Sequence, residues 1–134
     1  MDQKILQEKA LLYQMLQRQL EEINHQSMLL ERKEAEFFIS KEALVGIERE
    51  KENKEILIPL GSETFTYAKL ADPNNVLVNM GAGVVVEKDI KSATIMLDEK
   101  IAEVEVLKDR VRQDATKVSQ KMNEIVKEIE ESQK

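Results

Sequence analysis

Residues Glu55–Glu87 read EILIPLGSETFTYAKLADPNNVLVNMGAGVVVE, and this stretch decides the fold. Extended to Asp89 it is 35 residues long. It holds two lysines (Lys69 and Lys88), no arginine, three of the four glycines and both prolines. Ile, Val, Thr, Phe and Tyr suit a pleated surface, and the Gly and Pro punctuation cuts such residues into short strands. The pattern predicts strands over Ile56–Leu60, Thr64–Leu70, Val76–Met80 and Val84–Val86. Gly61-Ser62-Glu63, Asp72-Pro73-Asn74-Asn75 and Gly81-Ala82-Gly83 turn the chain between them, and Pro59 marks an edge or a bend. Within the second strand Phe65, Tyr67 and Lys69 face one way, and Thr66, Ala68 and Leu70 the other.

The result is two successive hairpins. An isolated hairpin is marginal in water, and its open edges can template pairing with another chain. The module is therefore expected to be completed by neighbouring subunits. The residues expected to carry that oligomerisation are Ile56, Ile58, Phe65, Tyr67, Val76, Val78, Gly81, Gly83 and Val85.

Working outward, the flanks are helical. From Asp2, a candidate cap, to about Asn53 there is no proline and only Gly46 among glycines, and helix formers dominate. A helix of roughly 50 residues would be about 75 Å long and must pair with something. Leu16, Ile23, Leu30, Phe37 and Leu44 recur every seven residues, with Leu6, Tyr13 and Leu20 as the companion series, which makes a heptad seam. The companion positions continue as the polar Ser27, Glu34 and Lys41, so a register shift or loosening is expected between about Ser27 and Phe37, beyond which Phe37, Ser40, Leu44 and Ile47 form the face.

After Asp89, the candidate N-cap of a second helix, neither Gly nor Pro occurs. Leu97, Val104, Val111, Val118 and Ile125 form one series there. Ile101, Lys108, Ala115, Met122 and Ile129 form the other, thinned at Lys108 and Ala115. The fold class is α+β, a long antiparallel two-helix coiled coil joined by two β-hairpins. The expected divisions are a helix over 1–54, a double-hairpin oligomerisation module over 55–88 and a helix over 89–134. Leu16, Leu20, Ile23 and Leu30 are expected to close the seam against Leu97, Val104, Val111 and Val118. Apolar residues continue to the free end of this pair, where little partner surface remains: Ile5, Leu6, Leu12, Met122, Ile125 and Ile129.

Composition excludes several classes. The formal charge is −6, with charged residues 34% and aromatics 4% of the chain, too few large apolar side chains for an ordinary compact core. Both signs are interspersed in the helices, without the basic face that nucleic acid requires. No cysteine is present, and His25 has no second ligand of the kind a metal site needs, so no metal and no cofactor are expected. Paired carboxylates on a coiled coil lack the dry cleft of acid–base catalysis, and Gly81-Ala82-Gly83 lacks the third glycine and following helix of a dinucleotide loop. The chain is not expected to be an enzyme. It has no secretory signal, no sequon and no apolar run long enough to span a membrane, which points to a soluble, cytoplasmic protein.

Ile58-Pro59-Leu60-Gly61 and Leu70-Ala71-Asp72-Pro73 through Val76–Glu87, with Gly81, Gly83 and Glu87, set between two heptad helices, resemble the alpha class of prefoldin subunits, most of all the archaeal form. The resemblance covers essentially the whole chain, and two hairpins rather than one also resemble the alpha class. It implies a hexamer of two alpha and four beta subunits joined through their hairpins into a double β-barrel platform. It further implies a co-chaperone that grips unfolded polypeptides at coiled-coil tips and hands them to a group II chaperonin without nucleotide hydrolysis. The tip residues named above would make client contact. The alternative is a structural coiled-coil adaptor that binds one specific folded partner.

Overall fold

The computed structural model describes residues 2–133. Helix α1 spans Gln3–Glu48. Strands β1 (Glu55–Gly61), β2 (Thr64–Lys69), β3 (Asn75–Asn79) and β4 (Val85–Asp89) follow, and helix α2 spans Ile90–Ser132. Each helix starts on an aspartate. Asp2 Oδ1 accepts from the Lys4 N–H at 3.2 Å, and Asp89 Oδ1 from the Ser92 N–H at 2.7 Å. Helix α1 stops at Glu48, short of the expected Asn53. Arg49–Lys54 offers no apolar side chain to a seam, and Asn53 turns left-handed (φ 67°) so that its N–H reaches the Leu70 carbonyl at 2.7 Å. The fourth strand runs to Asp89 rather than ending at Val86.

The strands form two separate antiparallel hairpins, β1–β2 and β3–β4. They are one design used twice, offset by 20 residues. Glu55 faces Lys69 as Asn75 faces Asp89, and Pro59 faces Phe65 as Asn79 faces Val85. At each tip a glycine in a conformation other residues avoid (Gly61, φ 99°; Gly81, φ 103°) precedes two left-handed residues, Ser62 and Glu63 in one hairpin, Ala82 and Gly83 in the other. Two left-handed central residues are what a type I′ turn requires, and its twist matches that of the strands. In the first hairpin the extra residue before the turn, Leu60, bulges between Pro59 and Gly61.

The chain falls into two compact units. One consists of the residues up to Glu34 with those from Ala102 onward; the other is Ala35–Ile101. In the first unit α1 and α2 lie antiparallel. Leu16, Ile23, Val118, Met122 and Ile125 are buried together, with Tyr13, Leu20, Val111, Ala115 and Ile129 packed against them. In the second, Ile90, Ala93 and Leu97 of α2 are buried, and β3 lies over a groove lined by Phe37, Leu44, Ala93 and Leu97.

Of the expected register shift or loosening in α1, the burial pattern has the loosening: Leu16 and Ile23 are its buried residues, and from Ser27 onward its inward positions are half-buried while the register is kept. Sheltered positions continue at Leu30, Glu34, Phe37, Lys41 and Leu44 in unbroken steps of four and three. The charged companion positions stay inside because each has a partner: Glu34 holds Lys108 at 3.1 Å, and Lys41 holds Asp98 at 2.6 Å. Lys41 therefore takes the inward place that was expected of Ser40.

Candidate functional site

Two kinds of surface are chemically conspicuous. The first is the pair of hairpins. Directly paired residues share a face, so Leu57, Pro59, Phe65 and Tyr67 line one side of the first hairpin, and Ile56, Ile58, Thr66 and Ala68 the other. Both sides are apolar. Leu57 is 60% and Tyr67 77% exposed, Ile58 and Phe65 are also open, and Ile56 is half-buried. The second hairpin is amphipathic. Val76 and Val78 are half-buried over the groove, whereas Leu77, between them, is 73% exposed on the side shared with Asn75, Asn79, Val85 and Glu87. Gly81 and Gly83 take positive φ and have open space where a side chain would stand, so conformation and not close approach explains them. Val85 is exposed beside that turn.

The second surface lies on the first unit. Of the residues expected at its free end, Ile5 and Leu12 are open, at 44% and 47% exposure. Leu6 and Ile129 are half-buried, while Met122 and Ile125 are inside the seam. The seam thus runs further toward the chain ends than was expected, because the Met122 and Ile125 positions continue the heptads of α2 without a break. Leu11 and Met15 stand in the same stretch of α1. Both are exposed, and with Ile5 and Leu12 they form the apolar flank of α1 near its start. Of the expected seam residues, Leu16, Ile23, Leu97, Val104 and Val118 are buried, and Leu20, Leu30 and Val111 are half-buried. An ion pair between Lys9 and Glu128 bridges the two helices.

The electrostatics of the first unit centre on Glu34. The Lys108 ammonium donates to Glu34 Oε1 at 3.1 Å and lies 3.8 Å from Glu105. Glu34 Oε2 is buried and has no donor while Glu105 is ionised. A proton on Glu105 would supply one. Hydrogen bonding between the two carboxyls accordingly holds Glu34 below the usual carboxylate range and pushes Glu105 above it. The hydrogen bond to Glu34 raises Lys108. In the second unit the Asn75 amide and the Asn74 N–H lower Asp72, and the Ser92 N–H lowers Asp89. Among the described residues no group of three His, Asp or Glu side chains is placed to hold a metal ion, and no helix is long and apolar enough to cross a membrane.

Comparison with known proteins agrees with this architecture. The prefoldin subunit family model matches residues 16–134. The chain is 36% identical over 102 residues to prefoldin subunit alpha 1 of Thermococcus kodakarensis, covering 76% of this chain and 70% of that protein. It is 28% identical over 131 residues to prefoldin subunit alpha of Pyrococcus horikoshii, covering 97% and 88%. Among solved structures, the filamentous PFD of Methanocaldococcus jannaschii superposes with a TM-score of 0.76 at 19% identity, over 86% of this chain and 95% of that one. The paired hairpins, the heptad helices and these relatives together show that the chain belongs to the prefoldin family, as a subunit of the alpha type.

Proposed function

We propose that this chain is the alpha subunit of a hexameric holdase with four beta-class subunits, that the hairpins build the shared β-barrel platform, and that the helical arms hold unfolded polypeptides for transfer to a group II chaperonin. The observation that carries this reading is apolar surface that the described residues leave open on the hairpins and on the flank of α1 near its start. The first hairpin has two apolar faces and four unpaired strand edges lie in the module, so the platform requires other subunits. The flank of Ile5, Leu11, Leu12 and Met15 offers flexible aliphatic and thioether side chains within a charged surface. Such a surface suits clients recognised by exposed apolar groups and not by sequence.

In the closed arm, client contact is assigned to Ile5 and Leu12, extended by Leu11 and Met15, with Leu6 and Ile129 at its border. Met122 and Ile125 join only where the end of the seam opens. Weak contacts of this kind gain avidity from several arms acting together. Holding of this kind uses no cofactor and no nucleotide.

The test is aggregation of chemically denatured proteins of unrelated sequence, followed by light scattering in the presence of the assembled complex. Suppression across all of them at up to equimolar complex is expected. Unchanged aggregation throughout would rule out the holdase, and binding of a single folded protein in its place would favour a structural adaptor.

A further inference from the structure

The two-helix unit contains one layer that stability alone does not explain. Leu16, Ile23 and Leu30 on α1 and Val104, Val111, Val118 and Ile125 on α2 are large aliphatics repeated every seven residues. Such layers are nearly interchangeable. A slide by one heptad, about 10 Å of helix, would set aliphatic against aliphatic again. Amid them stand Glu34 and Lys108, each side chain 14% exposed, paired at 3.1 Å and leaving Glu34 Oε2 buried without a donor. A well-packed apolar pair at these positions would be at least as stable, since desolvating two charges offsets most of their attraction.

We propose that the Glu34–Lys108 layer is a pairing key: it fixes the register of α1 on α2 and bars the helices from pairing with their own kind in a second copy. The seam sequence shows why one layer suffices. Sliding α2 a heptad one way would bring Lys108 opposite Lys41 and leave Glu34 opposite Ala115. Sliding it the other way would bring Lys108 opposite Ser27 and Glu34 opposite Ile101. Each slip buries a charge without its partner or sets Lys against Lys, at a cost the aliphatic layers cannot recover. Antiparallel pairing of two α2 helices centred on this layer would match Val104 with Val111 and Leu97 with Val118, but would set Lys108 against Lys108. The same pairing of two α1 helices would set Glu34 against Glu34. A single polar layer in an apolar seam selects register and partner in this manner.

Disulfide trapping in the 134-residue chain tests the key, with intrachain and interchain products separated by mass. Ile23→Cys with Val118→Cys reports the native register, and Ile23→Cys with Val111→Cys a slip of one heptad. In the Glu34→Leu/Lys108→Leu background the slipped and interchain products are expected to rise roughly tenfold, as loss of a preference of ~1.4 kcal/mol would give. In the charge-swapped Glu34→Lys/Lys108→Glu background they should stay at the parent level, whereas Glu34→Lys alone should lower the native-register product. Parent-level slipped products in a folded Leu/Leu variant would overturn the key. If the Leu/Leu variant does not fold, the swap decides: failure of Lys108→Glu to restore the native-register product lost in Glu34→Lys would overturn it equally.

Discussion

The two hairpins share a backbone and differ in what they show to the outside. Register, the glycine before the turn and turn conformation coincide at an offset of 20 residues, yet only Leu57/Leu77 and Gly61/Gly81 are identical between 54–70 and 74–90. The glycine before the turn and the apolar alternation are enough to repeat the geometry. The remaining positions divide the roles. Phe65 and Tyr67 in the first hairpin become Val85 and Glu87 in the second, and Lys69 becomes Asp89. Val76 and Val78 of the second hairpin are half-buried beside the groove while Leu77, Val85 and Val86 stay exposed, whereas Ile58, the counterpart of Val78 in the first hairpin, is 42% exposed. The difference teaches that the two hairpins, both of which keep apolar residues open, differ in how much of one face the chain itself shelters.

The strongest way to break that contrast is to place the same charge at equivalent positions. Val78→Asp is expected to destabilise the isolated chain by about 3 kcal/mol, since it exchanges a half-buried valine for a carboxylate over an apolar groove. Ile58→Asp, its counterpart 20 residues earlier, should lower the isolated chain's unfolding midpoint little and yet split the assembled complex. Denaturant titration of the chain and sedimentation of the complex read the two effects. Equal destabilisation of the isolated chain by both would show that the first hairpin is covered internally.

The glycines test the shared geometry. With open space around both, Gly61→Ala and Gly81→Ala should each cost about 1–2 kcal/mol through backbone conformation alone. Clearly unequal losses would mean that the turns are not equivalent. The reverse change sharpens the comparison. Glu63 sits left-handed where the second hairpin has Gly83, so Glu63→Gly should raise stability by about 1 kcal/mol, read as a higher melting temperature.

The smallest effect concerns acid. Asp72 and Asp89 flank the second hairpin, and both are held below the usual carboxylate range by hydrogen bonds, from the Asn75 amide and the Ser92 N–H respectively. A depressed folded pKa gives stability that is present above the unfolded value and is lost as pH falls through the folded one. Melting temperature should therefore decline on acidification below the ordinary aspartate range. Asp72→Asn with Asp89→Asn should flatten that decline. An unchanged pH profile in the double variant would show that these two carboxylates do not set it.

Much of this was legible in the sequence. The heptads of α2 run from Leu97 to Ile125 with aliphatics at every seventh place, and both hairpins were visible in their turn residues. The register of α1 beyond Ser27 was not legible, because Glu34 and Lys41 look like the end of a stripe when their partners Lys108 and Asp98 lie dozens of residues away. The hairpin repeat was hidden because the changed residues are those that distinguish its two roles. The division of the free end was also obscure. A heptad position such as Met122 or Ile125 reads the same whether or not a partner reaches it, and Leu11 and Met15 stay exposed although α2 runs past them, because they lie outside the heptad seam.

The central claim is that this chain is one part of a larger assembly, completed through its hairpins by other subunits. The native mass of the complex purified after co-expression with a prefoldin beta subunit tests it most directly. The account predicts a single species containing two copies of this chain and four of the beta subunit. Recovery of this chain as a monomer, with none of the beta subunit bound, would contradict it.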